Sequence, residues 1–208
     1  SKIYLGDVII RYGLTNHKAL EVLMKKLAET VRHPVSFSRL SNIVQSVGIK
    51  VGKSTVIQYL QYVEESQLVF FIENFASNLV QRTTTQKYYF IDNGLLNLFL
   101  INSESALIEN LVAIALIKKY GKNQAVYYYE KNIEVDFYIP QSRLAIQVCY
   151  SLKDPLTYER EVNALIKLAG YIDCDKLMII TYSEEGFISQ KGVEIELIPV
   201  WKWLLTIN

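Results

Sequence analysis

The sequence predicts an α+β or α/β protein in two parts: helices closing on paired strands, then helices flanking a sheet in the order αβββαβ. Three observations predict it. Apolar residues recur at helical spacing between residues 18 and 65, whereas later apolar runs are short, aromatic and β-branched, as strands are. Formal charge divides as well: residues 1–91 hold 11 Lys+Arg against 6 Asp+Glu, a net +5, and residues 92–208 hold 11 against 15, a net −4.

Half of the 208 residues are hydrophobic and 21% are charged, enough to bury one large core or two small ones without disulfides. Apolar runs such as Leu177–Ile180 are too short to span a bilayer, and no charged-then-apolar leader opens the sequence, so a cytoplasmic protein with no membrane partner is expected. Cys149 and Cys174 lack the spacing of a disulfide framework or a zinc site, and both are expected to be reduced.

Residues 1–17, with Asp7 and Arg11, read as a linker. Leu20, Leu23, Leu27 and Val31 then mark a helix over 18–32, stopped by His33-Pro34. Ser36 caps a second helix striped by Phe37, Leu40, Ile43, Val44 and Val47, which Gly48 ends by a left-handed exit. A third, from about Ser54 to Glu65, buries Val56, Leu60 and Val63, with Thr55 and Gln58 at the spacing of a capping box. Two short helices about a glycine turn predict a helix-turn-helix. Leu68–Ile72 and Lys87–Ile91, separated by the polar stretch Gln81 to Gln86, read as the strands of a wing, so residues 18–91 are expected to form a winged helix-turn-helix. In that arrangement the third helix enters the major groove of DNA with Lys53, Ser54, Thr55, Gln58 and Tyr62 outward, while Lys50 and Arg82 reach phosphates. The same shape also serves as a packing module between protein domains, with Gln58 spent on its own helix. The run Gly48-Ile-Lys-Val-Gly52-Lys53-Ser54 is one residue short of a nucleotide phosphate loop and follows a helical stripe rather than a strand, which excludes nucleotide binding there.

Residues 92–208 read as a second domain. Asp92 caps a helix through Leu100, and Ser105–Tyr120 forms a longer one carrying Glu109. Ala125–Glu130, Ile133–Ile139 and Leu144–Tyr150 predict an antiparallel meander, followed by a helix from Pro155 to Gly170, strands at Leu177–Ile180 and Val193–Ile198, and a terminal helix over Trp201–Leu205. Along the second strand Glu134 and Asp136 alternate with Val135 and Phe137, which predicts that the two acids share a face. The tyrosine-rich run Tyr127–Tyr129 offers stacking surface for nucleic acid, as it equally offers amphipathic packing in a strand.

Asp136, ten residues, then Gln147-Val148-Cys149 has the spacing of the PD-(D/E)xK signature, and with Glu109 on the preceding helix the second domain resembles the restriction-endonuclease-like fold. The resemblance implies a site of Glu109, Asp136 and Gln147, with Mg²⁺ on Asp136 and Glu109. Active members carry a second acid and a lysine where this chain has Gln147 and Cys149, a neutral amide and a thiol that is neutral at pH 7, so the motif is degenerate. Lys131 and Lys153 lie near enough in sequence to be a displaced lysine, and Tyr158 and Arg160 on the following helix are expected to face the same cleft, although a solvated loop charge accounts for Lys153 and an ion pair with Glu109 or Asp136 for Arg160.

Lys87-Tyr-Tyr-Phe-Ile-Asp-Asn-Gly-Leu95, Glu109-Asn110, Glu134-Val-Asp-Phe137 and Ile146-Gln-Val148 together resemble the C-terminal region of a prokaryotic AAA-type ATPase family, in which a winged helix and a nuclease-like domain of unknown function follow the ATPase. The resemblance implies that ATP is used by an N-terminal domain outside this sequence and that this region serves DNA or a partner. Three functions follow for testing: a DNA-binding or regulatory module, a protein-interaction or homo-oligomerisation module, and a metal-dependent nuclease with a rearranged site.

Overall fold

The computed structural model describes residues 2–101, 103–121 and 125–207, with side chains from residue 5 onward. The chain is mixed α/β and divides into two compact units, Ser1–Phe71 with Val80–Ser103, and Ile72–Leu79 with Glu104–Asn208.

The first unit opens with α1 (Lys2–Tyr12), a helix where the sequence predicts a linker; it buries Leu5 and Val8 and packs on the next helix. α2 (His17–Glu29) starts where the Asn16 side chain accepts the Ala19 N–H at 3.1 Å, and turns Leu20, Leu23, Met24 and Leu27 inward. The two-residue strand β1 (Val35–Ser36) leads into α3 (Phe37–Ser46), whose N-cap is the expected Ser36, accepting from Arg39 N at 3.2 Å. Gly48, at φ +81°, makes the left-handed exit that a side chain would strain. α4 (Lys53–Glu65) begins earlier than the sequence suggests, on Gly52, so Thr55 lies inside the helix and caps nothing. The expected capping box is therefore absent: Gln58 Nε2 donates instead to Tyr62 Oη at 2.7 Å.

β2 (Val69–Asn74) and β3 (Thr85–Phe90) are the two expected strands, but the polar stretch between them contains a short helix, α5 (Leu79–Thr84). β3 lies between β1 and β2, pairing antiparallel to β1 through Val35↔Gln86 and Ser36↔Thr85. α6 (Asn93–Asn97) follows, capped as expected by Asp92, which accepts from Leu95 N at 2.9 Å.

In the second unit, α7 (Glu104–Tyr120) precedes the meander β4 (Tyr127–Glu130), β5 (Glu134–Ile139) and β6 (Leu144–Val148), each turn antiparallel. α8 (Pro155–Ala169) crosses over to β7 (Lys176–Thr181), which runs parallel to β6, and β9 (Val193–Pro199) runs parallel to β7. β8 (Gly186–Gln190), absent from the sequence reading, forms an edge hairpin with β9. Its two-residue turn, Lys191-Gly192, has both φ positive (53° and 75°), the type I′ geometry that matches strand twist. α9 (Val200–Thr206) closes the chain.

α8 packs on β5 and β6, burying Val162, Leu165 and Leu168 against Val135, Ala145, Cys149 and Ile179. The segment 72–79 belongs to this unit because Asn74 holds it there. The Asn74 amide donates to Glu130 O at 2.8 Å and accepts from Glu130 N at 3.0 Å, while the Phe75 ring meets Tyr138 edge-on at 4.8 Å. Among the described residues no helix is long and apolar enough to cross a membrane.

Candidate functional site

Two surfaces carry the residues singled out in the sequence, one on each unit. In the first unit, α4 buries Val56, Tyr59, Leu60 and Val63, and this stripe turns Lys53, Ser54, Gln58 and Gln61 to solvent. Lys53 is held by its ammonium, which donates to Ser38 Oγ on α3 at 2.8 Å, so the first turn of α4 and the start of α3 share one polar surface. Thr55 is half-buried, and Lys50 stands exposed in the turn between the two helices. Tyr62 is drawn off this surface: its ring stacks on Tyr12 of α1 at 3.9 Å and its hydroxyl accepts from Gln58. Arg82 sits half-buried at the end of α5. Sequence reading missed Arg39 and Gln61, both exposed, and a charge pattern that was there to be found. From Thr30 to Val63 the chain has no Asp or Glu but has Arg32, Arg39, Lys50 and Lys53, a net +4.

In the second unit, Asp136 and Gln147 come together on neighbouring strands. β4 and β5 pair through Tyr129↔Val135 and Tyr127↔Tyr138, so three steps on β5 span two on β4, and β5 carries a bulge. Val135 and Tyr138 consequently enter the same core cluster, which strict alternation forbids. Glu134, at the start of β5, is exposed, and Asp136, two residues further on, is buried.

The β5–β6 ladder runs from Ile139↔Leu144 to Phe137↔Ile146, and beyond it side chains take over the bonding. Gln147 Oε1 accepts from Asp136 N at 2.9 Å, and Gln147 Nε2 donates to Glu134 O at 3.0 Å. Asp136 Oδ2 accepts from Val148 N at 2.9 Å. Both ends of the Gln147 amide are thus engaged in joining two strands. At the position where the PD-(D/E)xK spacing leads one to expect a second carboxylate, this chain has a strand clamp.

Cys149, two positions on, lies in the core beneath α8. Burial pushes its thiol up to about 12, and Glu161, Glu184 and Asp136 push the same way, so it is a neutral thiol at pH 7 and no substitute for an ammonium. A cation does stand nearby. Arg160 on α8 bonds the buried Glu161 carboxylate through Nε at 3.1 Å and Nη2 at 2.5 Å; that hydrogen bond raises the guanidinium's pKa, as do the charges of Glu161 and Asp136. Arg160 thus pairs with Glu161, and the charge of Asp136 acts on it as well. Lys131 and Lys153 are exposed, and Tyr158 is partly so.

Glu109 is buried on the inner side of α7. Among the described residues no group of three or more His, Cys, Asp or Glu side chains is placed to hold a metal ion. A Mg²⁺ site asks for oxygens arranged octahedrally. With Gln147 engaged on both ends and Asp136 bonded to Val148, the described residues do not fit it.

A family model described as "Domain of unknown function (DUF8612)" matches residues 1–106, which take in all of the first unit. The chain belongs to the DUF8612 family. An uncharacterized protein of Methanocaldococcus jannaschii is 33% identical to this DUF8612 chain over 215 residues, 98% of the chain and 48% of that protein. An uncharacterized protein of Haemophilus influenzae is 28% identical over 212 residues, 98% of the chain and 50% of that protein. The chain spans about half the length of the curated relatives it matches. No solved structure matches it.

Proposed function

We propose that this DUF8612 chain is the DNA-contacting, regulatory region of a prokaryotic AAA-type ATPase. Its first unit is a winged helix-turn-helix that lays α4 along the major groove. Its second unit is a restriction-endonuclease-like domain that has given up catalysis.

The observation that carries this reading is the α3–α4 surface. An exposed helix face of Lys53, Ser54, Gln58 and Gln61, flanked by Arg39 and Lys50 and free of carboxylates, supplies base-edge donors and acceptors beside phosphate-binding charge. Glu65, at the far end of α4, accepts from the Tyr12 hydroxyl at 2.9 Å. After α1, the order α2, β1, α3, α4, β2 and β3, with α5 between the last two strands and β3 in the middle of the three, supports the winged reading. For the second unit, the meander followed by a crossover to a parallel strand supports the nuclease-like reading, and the clamped Gln147 supports its loss of cleavage. The greater length of the relatives leaves room for an ATPase domain.

The test is a titration of the chain against labelled duplex and single-stranded DNA at two salt concentrations, with and without Mg²⁺, products being resolved on a denaturing gel. Salt-sensitive duplex binding without cleavage is the expected result. Cleavage that Asp136→Ala abolishes assigns a rearranged nuclease instead, and absence of binding at low salt removes the DNA role.

A further inference from the structure

The outer side of α7 departs from the pattern of a helix packed on a sheet. A helix that packs on one side only keeps its other side polar. α7 instead buries Ile108, Val112, Leu116 and Ile117 inward and keeps an apolar stripe outward, where Leu111, Ile114 and Ala115 join Leu204 and Ile207 along a groove of about 430 Å³ that Lys118 and Lys119 edge. Beside it α9 leaves Trp201 58% and Leu205 71% exposed.

Charges at the two ends of the stripe indicate what covers it. Glu104, Leu107, Leu111, Ile114 and Lys118 follow one another at spacings of 3, 4, 3 and 4, so they lie on one face of the helix. The acid and the lysine are both exposed, and Leu111 is equidistant from them in sequence. Turned about a two-fold axis near Leu111, the stripe is complementary to itself: Leu111 meets its own counterpart, Leu107 faces Ala115, and each Glu104 faces a Lys118. We infer that DUF8612 chains of this kind form a homodimer through antiparallel packing of α7, with α9 widening the contact. The 17 residues of α7 extend about 25 Å, a length over which an antiparallel pair, widened by two α9 helices, can approach the roughly 1,200 Å² of the smaller stable interfaces. The inference is independent of the DNA reading, since every residue in it belongs to the second unit.

Sedimentation equilibrium of the intact chain over a range of concentrations tests it. The expected result is a monomer–dimer equilibrium that Glu104→Lys shifts to monomer, that Lys118→Glu alone shifts likewise, and that the double swap restores. Leu111→Lys, which sets two like charges across the axis, is expected to give monomer with unchanged circular dichroism. If Leu111→Lys fails to fold, the charge swaps at exposed positions still decide. A chain that stays monomeric at every concentration gives the groove to some other occupant and overturns the proposal, as does a dimer indifferent to all four variants.

Discussion

At the scale of single residues, the amide of Gln147 shows how one side chain prolongs the pairing of two strands. Its oxygen takes the Asp136 N–H and its nitrogen gives to Glu134 O, both beyond the end of the β5–β6 ladder. Gln147→Glu keeps the acceptor but loses the donor, and sets a second carboxyl near buried Asp136. The variant is expected to lose about 1–3 kcal/mol at pH 7 in urea unfolding. Crowding with a carboxylate and a carbonyl raises the new group's pKa, and its protonated form can donate to Glu134 O, so the loss is expected to shrink as pH falls toward 4. An equal loss at both pH values contradicts this account. The neighbouring Cys149 gives a prediction of the same kind. Its thiol is held up to about 12 in the folded chain, so it contributes stability that is full below about pH 9, the ordinary thiol value, and lost as pH rises from there toward 12. Burial of other groups acts in the same range, the half-buried Cys174 among them at about 11, so the informative quantity is a difference. The gap between the parent chain and Cys149→Ala is expected to narrow across that window.

At the scale of elements, local chemistry was legible where one residue type does one job. Ser36 was readable as a cap, and Ser36→Ala is expected to cost about 1 kcal/mol in thermal or urea unfolding, since it leaves the Arg39 N–H unmet; a change indistinguishable from zero removes Ser36 as the start of α3. Helix α1 was hidden because Gly6 interrupts it and Val8-Ile9-Ile10 is a β-branched run, features that packing of Leu5 and Val8 overrides. β1 has only two residues and no period to detect. The β8–β9 hairpin left one signal, Lys191-Gly192, but in Gly186–Gln190 the two apolar residues, Phe187 and Ile188, are adjacent and show no alternation. The bulge in β5 was invisible in principle: Glu134-Val135-Asp136-Phe137 alternates perfectly, and only pairing with β4 shows the extra residue. The site was therefore legible as a list, Asp136 with Gln147 and Cys149, but not as a clamp, and Arg160 bonding Glu161 depends on side-chain placement that spacing does not encode.

At the scale of the whole molecule, the two units are interleaved in sequence, because residues 72–79 leave the first unit to edge the second. Parallel pairing of Glu73 and Asn74 with Tyr127 and Tyr128, reinforced by the Asn74 amide, completes the β4 edge. A fragment of residues 104–208 is thus expected to unfold at lower urea, and to aggregate more readily, than one of residues 72–208; equal midpoints contradict a structural role for the segment. The division of charge, net +5 before Asp92 and −4 after it, assigns any phosphate contact to the first unit. The central claim is that α4 and the turn before it face DNA, and the most direct measurement is the salt dependence of duplex affinity for the parent chain and for a Lys50→Ala/Lys53→Ala double variant. Log affinity is expected to fall linearly with log salt, with a slope for the double variant shallower by about two, roughly 0.9 for each phosphate contact removed. Equal slopes for the two proteins, or affinity that does not change with salt, contradict it.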